Sequence, residues 1–256
     1  MSEDLRLTVD DGIATLTLNR PAKRNAVTYD MWRGITEACR QVSADDAVRL
    51  LVVRGEGEHF CAGADISGFG AVSREEYHAA NEAADAALAA VPKPTVAVIT
   101  GSCIGGGTEI ALACDLRIAD STARFGITPA RLGIVYPASA TERAVRAIGP
   151  SATKHLLFTA ELIDIDRALR IGLVDEVHDP EDLPARVEAL TALMARQRSL
   201  LTQMASKEIV DAAVAGQPDP AIAARWAAEV AASADPAEGI TAFLERRAPR
   251  FGWTPG

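Results

Sequence analysis

Residues 101–109 read Gly101-Ser102-Cys103-Ile104-Gly105-Gly106-Gly107-Thr108-Glu109, directly after the apolar run 96–99. A second stretch of the same design, Phe60-Cys61-Ala62-Gly63-Ala64-Asp65-Ile66, follows the apolar run 50–53. Each is glycine-rich, leaves a buried strand and leads into a helix. Small residues let a ligand approach the backbone closely. Backbone N–H groups at a helix start point outward and attract negative charge. Two such loops side by side would present two N–H donors to one oxygen, which is an oxyanion hole. The loop 101–109 has no Lys-Ser/Thr pair after its glycines, so it is not a phosphate-binding P-loop. Its spacing fails G-x-G-x-x-G, and Ser102 does not fall in the G-x-S-x-G elbow of a serine hydrolase. The glycines alone fit a tight turn with close helix–strand packing equally well.

Outward from these loops the chain alternates strand and helix. Residues 5–9 and 13–18 alternate in polarity around Asp10-Asp11-Gly12 and predict a hairpin. Thr28 is placed to cap a helix running to about 42, with Met31, Ile35, Ala38 and Val42 on one stripe. Ser73 with Glu76 three residues on forms a capping-box pattern before an alanine-rich helix to about 91. Pro92-Lys93-Pro94 breaks the chain before the run 96–99. Residues 109–114, 138–148 and 165–171 read as helices, and 116–119 and 174–177 as strands. From 183 onward only helices are expected, at 183–196, 200–215, 220–233 and 236–246. Four or five strand–helix units are too few for an eightfold barrel. The expected organisation is an α/β core over 1–182 and a helical region over 183–256.

The 256 residues are 48% hydrophobic and 24% charged, an ordinary globular composition that argues against disorder. Lys and Arg number 26 against 35 Asp and Glu, a net charge of −9. Such a chain would repel nucleic acid and anionic membranes, so neither is an expected partner. No apolar run approaches the ~20 residues of a membrane helix, and the first ten residues lack the basic start and apolar stretch of a secretion signal. Cys39, Cys61, Cys103 and Cys114 form no C-x-x-C pair and are read as free thiols in a reducing cytoplasm. His59, His78, His155 and His178 are scattered without ligand spacing, so no metal site is expected.

The segment 18–26 carries Leu18-Asn19-Arg20-Pro21 and Asn25-Ala26. Ala62-Gly63-Ala64-Asp65-Ile66 follows, then Lys93-Pro94 through Gly101, and Gly105-Gly106-Gly107 with Glu109. After these come Cys114-Asp115, Ala123, Phe125-Gly126, Leu132-Gly133, ALRIGLV at 168–174 and GITAFLERRAPRF at 239–251. In this order, over nearly the whole chain, they resemble the enoyl-CoA hydratase/isomerase (crotonase) family. The resemblance implies a spiral of ββα units with a helical C-terminal trimerisation region, assembled as a homotrimer or a dimer of trimers. It implies an acyl-CoA thioester substrate, an enolate-like intermediate and no cofactor beyond the substrate's own CoA. Carried over by position, the backbone N–H groups of Ala64 and Gly106 would hold the thioester oxygen. Glu109 would be the general acid/base. CoA would lie along Ala62, Ala64, Asp65 and Ile66, with Lys23, Arg24 and a neighbouring subunit's Arg246 near its phosphates and Phe243 against its adenine.

The chain departs from the family pattern in one place. Hydratases of this family carry a second glutamate within the stretch matching 125–133, and Pro129 stands there. Pro137 stands where isomerases can place an acid, and the next acid, Glu142, falls in a solvated helix. One carboxylate can serve both proton transfers of hydration if water or a hydroxyl relays protons, and Thr128 and Tyr136 are the candidates. Thr128-Pro129, Leu132-Gly133 and Tyr136 also resemble a subgroup that decarboxylates malonyl-type thioesters, although Ala64 stands where that pattern has histidine. The expected function is therefore enoyl-CoA hydration. Its rivals are decarboxylation of methylmalonyl- or ethylmalonyl-CoA and a non-catalytic CoA-binding scaffold.

Overall fold

The structure, a computed structural model, describes residues 3–65 and 72–255. Strands β1 (Leu5–Asp10) and β2 (Ile13–Leu18) form the expected hairpin. Its turn residues Asp11 and Gly12 have φ of 44° and 80°, the positive pair a type I′ turn needs. From β2 the sheet continues in parallel through β3 (Leu50–Gly55), β4 (Thr95–Ile99), β6 (Leu116–Asp120) and β8 (Glu176–His178). The central strands β3, β4 and β6 are largely buried on both faces, as a sheet covered on both sides requires. Leu51, Val53, Ala97 and Ile99 face the main core, which includes helix α1 (Tyr29–Ala44). Leu50, Val52, Val96 and Ile118 face Leu183, Leu190 and Ala195 of helix α6 (Leu183–Gln197).

Helix α1 starts where the sequence predicts, with the Thr28 hydroxyl accepting from the Met31 N–H. Its stripe is buried, widened by Trp32 and Cys39. Helix α2 (Arg74–Ala89) opens on the predicted Ser73–Glu76 capping box. A second, small sheet lies apart from the first. Strand β5 (Ser102–Ile104) pairs in parallel with β7 (Arg124–Gly126), Cys61 bridges to Cys103, and Ile163 bridges to Phe125. Neither short strand is foreseen from the sequence. Each is three residues long, too short for a polarity pattern, and is held by partners far away in the chain.

Three further expectations need correction. Helix α3 spans Gly106–Ala113 and so begins at Gly106 instead of 109. Helix α4 (Ala138–Thr159) is two helices in line: the expected 138–148 ends where Gly149 leaves helical geometry (φ 74°, ψ 164°), and Pro150 opens a second stretch to Thr159 that is not expected from the sequence. The strand expected at 174–177 is β8 at Glu176–His178, after α5 (Ile165–Arg170), since Asp175 is drawn onto the Arg117 backbone instead. The remaining helices, α7 (Leu200–Val214), α8 (Pro220–Ala232) and α9 (Asp235–Glu245), fall within a residue or two of expectation. Trp226 of α8 meets Trp253 edge-on at 6.3 Å and packs with Leu200, Leu201 and Met204 of α7. Among the described residues no helix is long and apolar enough to cross a membrane.

Lys93, between the two prolines, is fully buried. Its ammonium donates to the carbonyls of Val42 (2.8 Å) and Asp45 (2.5 Å) at the end of α1. It thereby satisfies carbonyls that a helix C-terminus leaves without partners. Its own carbonyl accepts from Lys207 of α7, which also pairs with Asp115 (2.9 Å). Lys93→Met keeps most of the volume but strands these carbonyls. It should lower stability by about 2 kcal/mol, a fall in Tm of roughly 4–8 °C by scanning calorimetry.

Candidate active site

The two glycine loops are joined by the Cys61–Cys103 bridge. The Cys61 N–H donates to the Ser102 carbonyl (2.8 Å) and the Ile104 N–H to the Cys61 carbonyl (2.9 Å). Three residues on, Val27 bridges to Ala64 by donating to the Gly63 carbonyl (2.8 Å) and accepting from the Asp65 N–H (2.8 Å). Because this bridge uses the neighbours of Ala64, the Ala64 N–H points to the opposite side. There it meets the start of α3: a Cβ built on Gly106 would lie 3.4 Å from the Ala64 nitrogen. Gly106 is the first residue of the helix, where an N–H has no intrahelical acceptor. Among the described residues neither N–H has a hydrogen-bond partner. Gly105 takes φ 55° and ψ −113° to make the turn. A Cβ on Gly107 would lie 2.4 Å from the Cys61 carbonyl, so only glycine lets α3 rest on the other loop.

These N–H groups open into a cavity of about 880 Å³. Its floor is Ala62, Gly63, Ala64, Gly105 and Gly106, and one wall is Trp32 and Tyr77, joined by an indole N–H donating to the phenol oxygen (2.9 Å). Residues of the stretch 128–137, Thr128, Pro129, Leu132, Ile134, Val135, Tyr136 and Pro137, complete much of the lining, with Val135 87% exposed. Arg74, His78 and Asn81 look in from α2. The Tyr136 hydroxyl donates to the Gly105 carbonyl (3.0 Å), which also accepts the Glu109 N–H (3.0 Å). Tyr136 thus fixes the first turn of α3.

Glu109 stands in that first turn, 2% exposed, and reaches the cavity. The Asn81 amide donates to Glu109 Oε1 at 2.8 Å. Burial pushes its carboxyl up to about 8, and the nearby Asp85 carboxylate adds to this. Asn81 and the Arg143 guanidinium oppose the shift without cancelling it. The helix dipole also favours a carboxylate here, but its ~0.3–1 kcal/mol is small beside the cost of drying an anion.

The structure brings Ala62, Ala64, Asp65, Gly106, Glu109 and Tyr136 to one cavity. Asp65 is held by Arg20, whose guanidinium donates to its Oδ2 (2.9 Å) and to the Ala26 carbonyl (2.6 Å). Lys23 and Arg24 lie exposed on the 3-10 turn Pro21–Lys23 and just after it; neither lines the cavity, although the Arg24 carbonyl accepts from Ala62. Phe243, 82% exposed, and Arg246 belong to the end of α9, away from this cavity within one chain. Ile66 lies outside the described residues. Pro129 and Pro137 both face the cavity, and Glu109 and Asp65 are its carboxylates among the described residues. Glu142 points outward and pairs with Arg146 (2.5 Å). Sequence reasoning missed Asn81, Asp85 and Arg143. They are ordinary polar positions on helices α2 and α4, and only the packing of three helices shows them facing Glu109.

Comparison with known proteins agrees with the resemblance. The family model described as enoyl-CoA hydratase/isomerase matches residues 8–253. A crotonyl-CoA hydratase of Syntrophomonas wolfei is 36% identical over 97% of this chain and 98% of its own. A short-chain-enoyl-CoA hydratase of Clostridium acetobutylicum is 32% identical over 92% of each. A solved enoyl-CoA hydratase/isomerase family member superposes over the full length of both chains with a TM-score of 0.92 at 36% identity.

Glu109 holds its proton up to about 8 in the fold, whereas an unfolded chain releases it near 4.5. Its contribution to stability is therefore complete below about 4.5 and is lost as pH rises through about 8. Glu109→Gln escapes that loss. The Tm of the variant relative to the parent should climb by several degrees between pH 5 and pH 9, at ~2–4 °C per kcal/mol. A constant difference would mean that the folded carboxyl gives up its proton early.

Proposed function

Because the chain belongs to the enoyl-CoA hydratase/isomerase family, we propose that it adds water across the 2,3 double bond of a short enoyl-CoA thioester. The observation that carries this reading is the pair of N–H groups, on Ala64 and Gly106, without hydrogen-bond partners among the described residues and opening into the same cavity as the buried Glu109. The thioester oxygen accepts from both donors, each worth ~2.7–4 kcal/mol in comparable sites. The Glu109 carboxylate takes a proton from water as its oxygen bonds to C3. The electrons of the double bond move onto the thioester as an enolate held by the two N–H groups. The protonated Glu109 then gives its proton to C2, the enolate collapses, and the carboxylate is restored. One carboxylate thus does both transfers. We place the CoA along Ala62, Ala64, Asp65 and Ile66, with Lys23 and Arg24 at the rim and Phe243 and Arg246 supplied by a second copy in a trimeric assembly. The reaction needs no cofactor beyond the substrate.

The test is loss of the conjugated-thioester absorbance of crotonyl-CoA. Glu109→Gln should slow it by ~10²–10⁴-fold while the variant still binds the thioester. Because the carboxylate is the reactive form, kcat/KM should rise with pH, level off above about 8 and fall about tenfold per pH unit below. Pro129 in the cavity wall favours one rival, since decarboxylation of a malonyl-type thioester makes its enolate by losing CO₂ and needs no second acid. Turnover of methylmalonyl-CoA with none of crotonyl-CoA would establish that rival. Binding without turnover of either would leave the scaffold reading.

A further inference from the structure

Behind Glu109, outside the cavity lining, lies a charged cluster that the proposed reaction does not use. Asp85 sits one turn after Asn81 on α2, with its side chain fully buried. Its Oδ2 accepts from the Ser139 hydroxyl (2.6 Å) and from the Arg143 guanidinium (2.5 Å), both on α4. Its Oδ1 is buried with no hydrogen-bond partner among the described residues. Both donors therefore engage one oxygen, and the charge of the carboxylate is only half answered. Two residues of α2 at i and i+4 share one face. That face carries the amide that holds Glu109 and the carboxylate that α4 grips.

We propose that the Asp85–Ser139–Arg143 cluster is a positioning device for Glu109. It fixes α2 against α4, which fixes the Asn81 amide on Glu109, and its opposed charges tune a proton affinity that burial sets. The inference rests on the acid/base role given to Glu109 above. The charged and titratable groups around Glu109 are few. Asp85 and Glu82 of α2 disfavour its carboxylate and Arg143 of α4 favours it. Cys61, Tyr77 and Tyr136 are pushed up by burial and so stay neutral. His78 lines the same cavity. Of these, Asp85 and Arg143 are buried or half-buried and joined, so solvent screens them least. Asp85 acts as the element that makes Glu109 a stronger base once ionised.

The test titrates Glu109 directly, by ¹³C resonance of enzyme labelled at the glutamate side-chain carboxyl, with Glu109→Gln assigning the signal. Asp85→Asn should move the midpoint to lower pH by about tenfold in proton concentration. Arg143→Gln should move it the other way, and Arg143→Lys, which keeps the charge, should restore it to within about twofold. A midpoint unmoved in a folded Asp85→Asn variant would overturn the proposal and leave the cluster a structural ion pair. Should Asp85→Asn fail to fold, equal midpoints in Arg143→Gln and Arg143→Lys would overturn it as well. The crotonyl-CoA profile of kcat/KM should shift in parallel. An enzyme inactive on crotonyl-CoA whose Glu109 midpoint still responds would sink the hydratase reading and keep the cluster's role.

Discussion

The backbone β-bridge between Cys61 and Cys103, both free thiols, joins two loops distant in the chain, and the register of that bridge sets the geometry of the cavity. With Cys61 bonded to Ser102 and Ile104, the chain arrives at Ala64 with its N–H turned toward the first turn of α3. A shift of one residue would turn that N–H to the other face, because successive groups along an extended chain alternate. Gly107 makes the registration possible, since any side chain there would strike the Cys61 carbonyl. Tyr136 and Thr108 then lock it. The first donates to the Gly105 carbonyl, and the second reaches the carbonyls of Cys103 and Gly126. The donor pair is thus rigid before any ligand arrives, as electrostatic stabilisation of a developing charge requires.

The same helix that supplies one donor also supplies the carboxyl. Glu109 is three positions after Gly106, close to one helical turn, so both look into the cavity from the same side of α3. This economy has a cost. Glu109 is drier than a surface acid, and among the described residues the Asn81 amide is its one hydrogen-bond donor from another side chain. Its carboxyl consequently binds its proton far more tightly than usual. A group with that affinity can take a proton from water and return it to carbon near neutral pH, which an ordinary carboxylate does poorly.

Much of this was legible in the chain. The hairpin, the caps at Thr28 and Ser73 and the four C-terminal helices are written locally, in turn residues, hydroxyls and apolar stripes. The glycine runs and Glu109 also marked the cavity floor. Strands β5 and β7 were not legible, because three-residue strands exist only through partners elsewhere. The polar residues behind Glu109 were invisible for a related reason. Glu142 and Arg143 are neighbours in sequence, but one step of helix turns the first to solvent and Arg146 and the second inward to Asp85. Sequence alone drew attention to the acid of that pair, whereas the packing makes the base the one that matters. Phe243 and Arg246 illustrate the opposite limit, since one chain carries them far from the cavity.

The proline at 129 then takes on a definite physical meaning. Two carboxylates a few ångströms apart in a dry cavity raise each other's proton affinity, and each can exchange protons with a ligand. Here Pro129 and Pro137 line the same cavity as Glu109 and carry no proton, and the hydroxyls in that stretch of the lining, on Thr128 and Tyr136, are not carboxyls. The larger like charge that acts on Glu109 is instead Asp85, seated behind it and tied to Arg143. From there Asp85 can strengthen Glu109 as a base but cannot touch the substrate. On the reading advanced above, the electrostatic part of a second acid is kept and its chemical part is given up. All proton traffic then passes through one carboxyl, and the apolar face left by the prolines is free to hold the acyl chain.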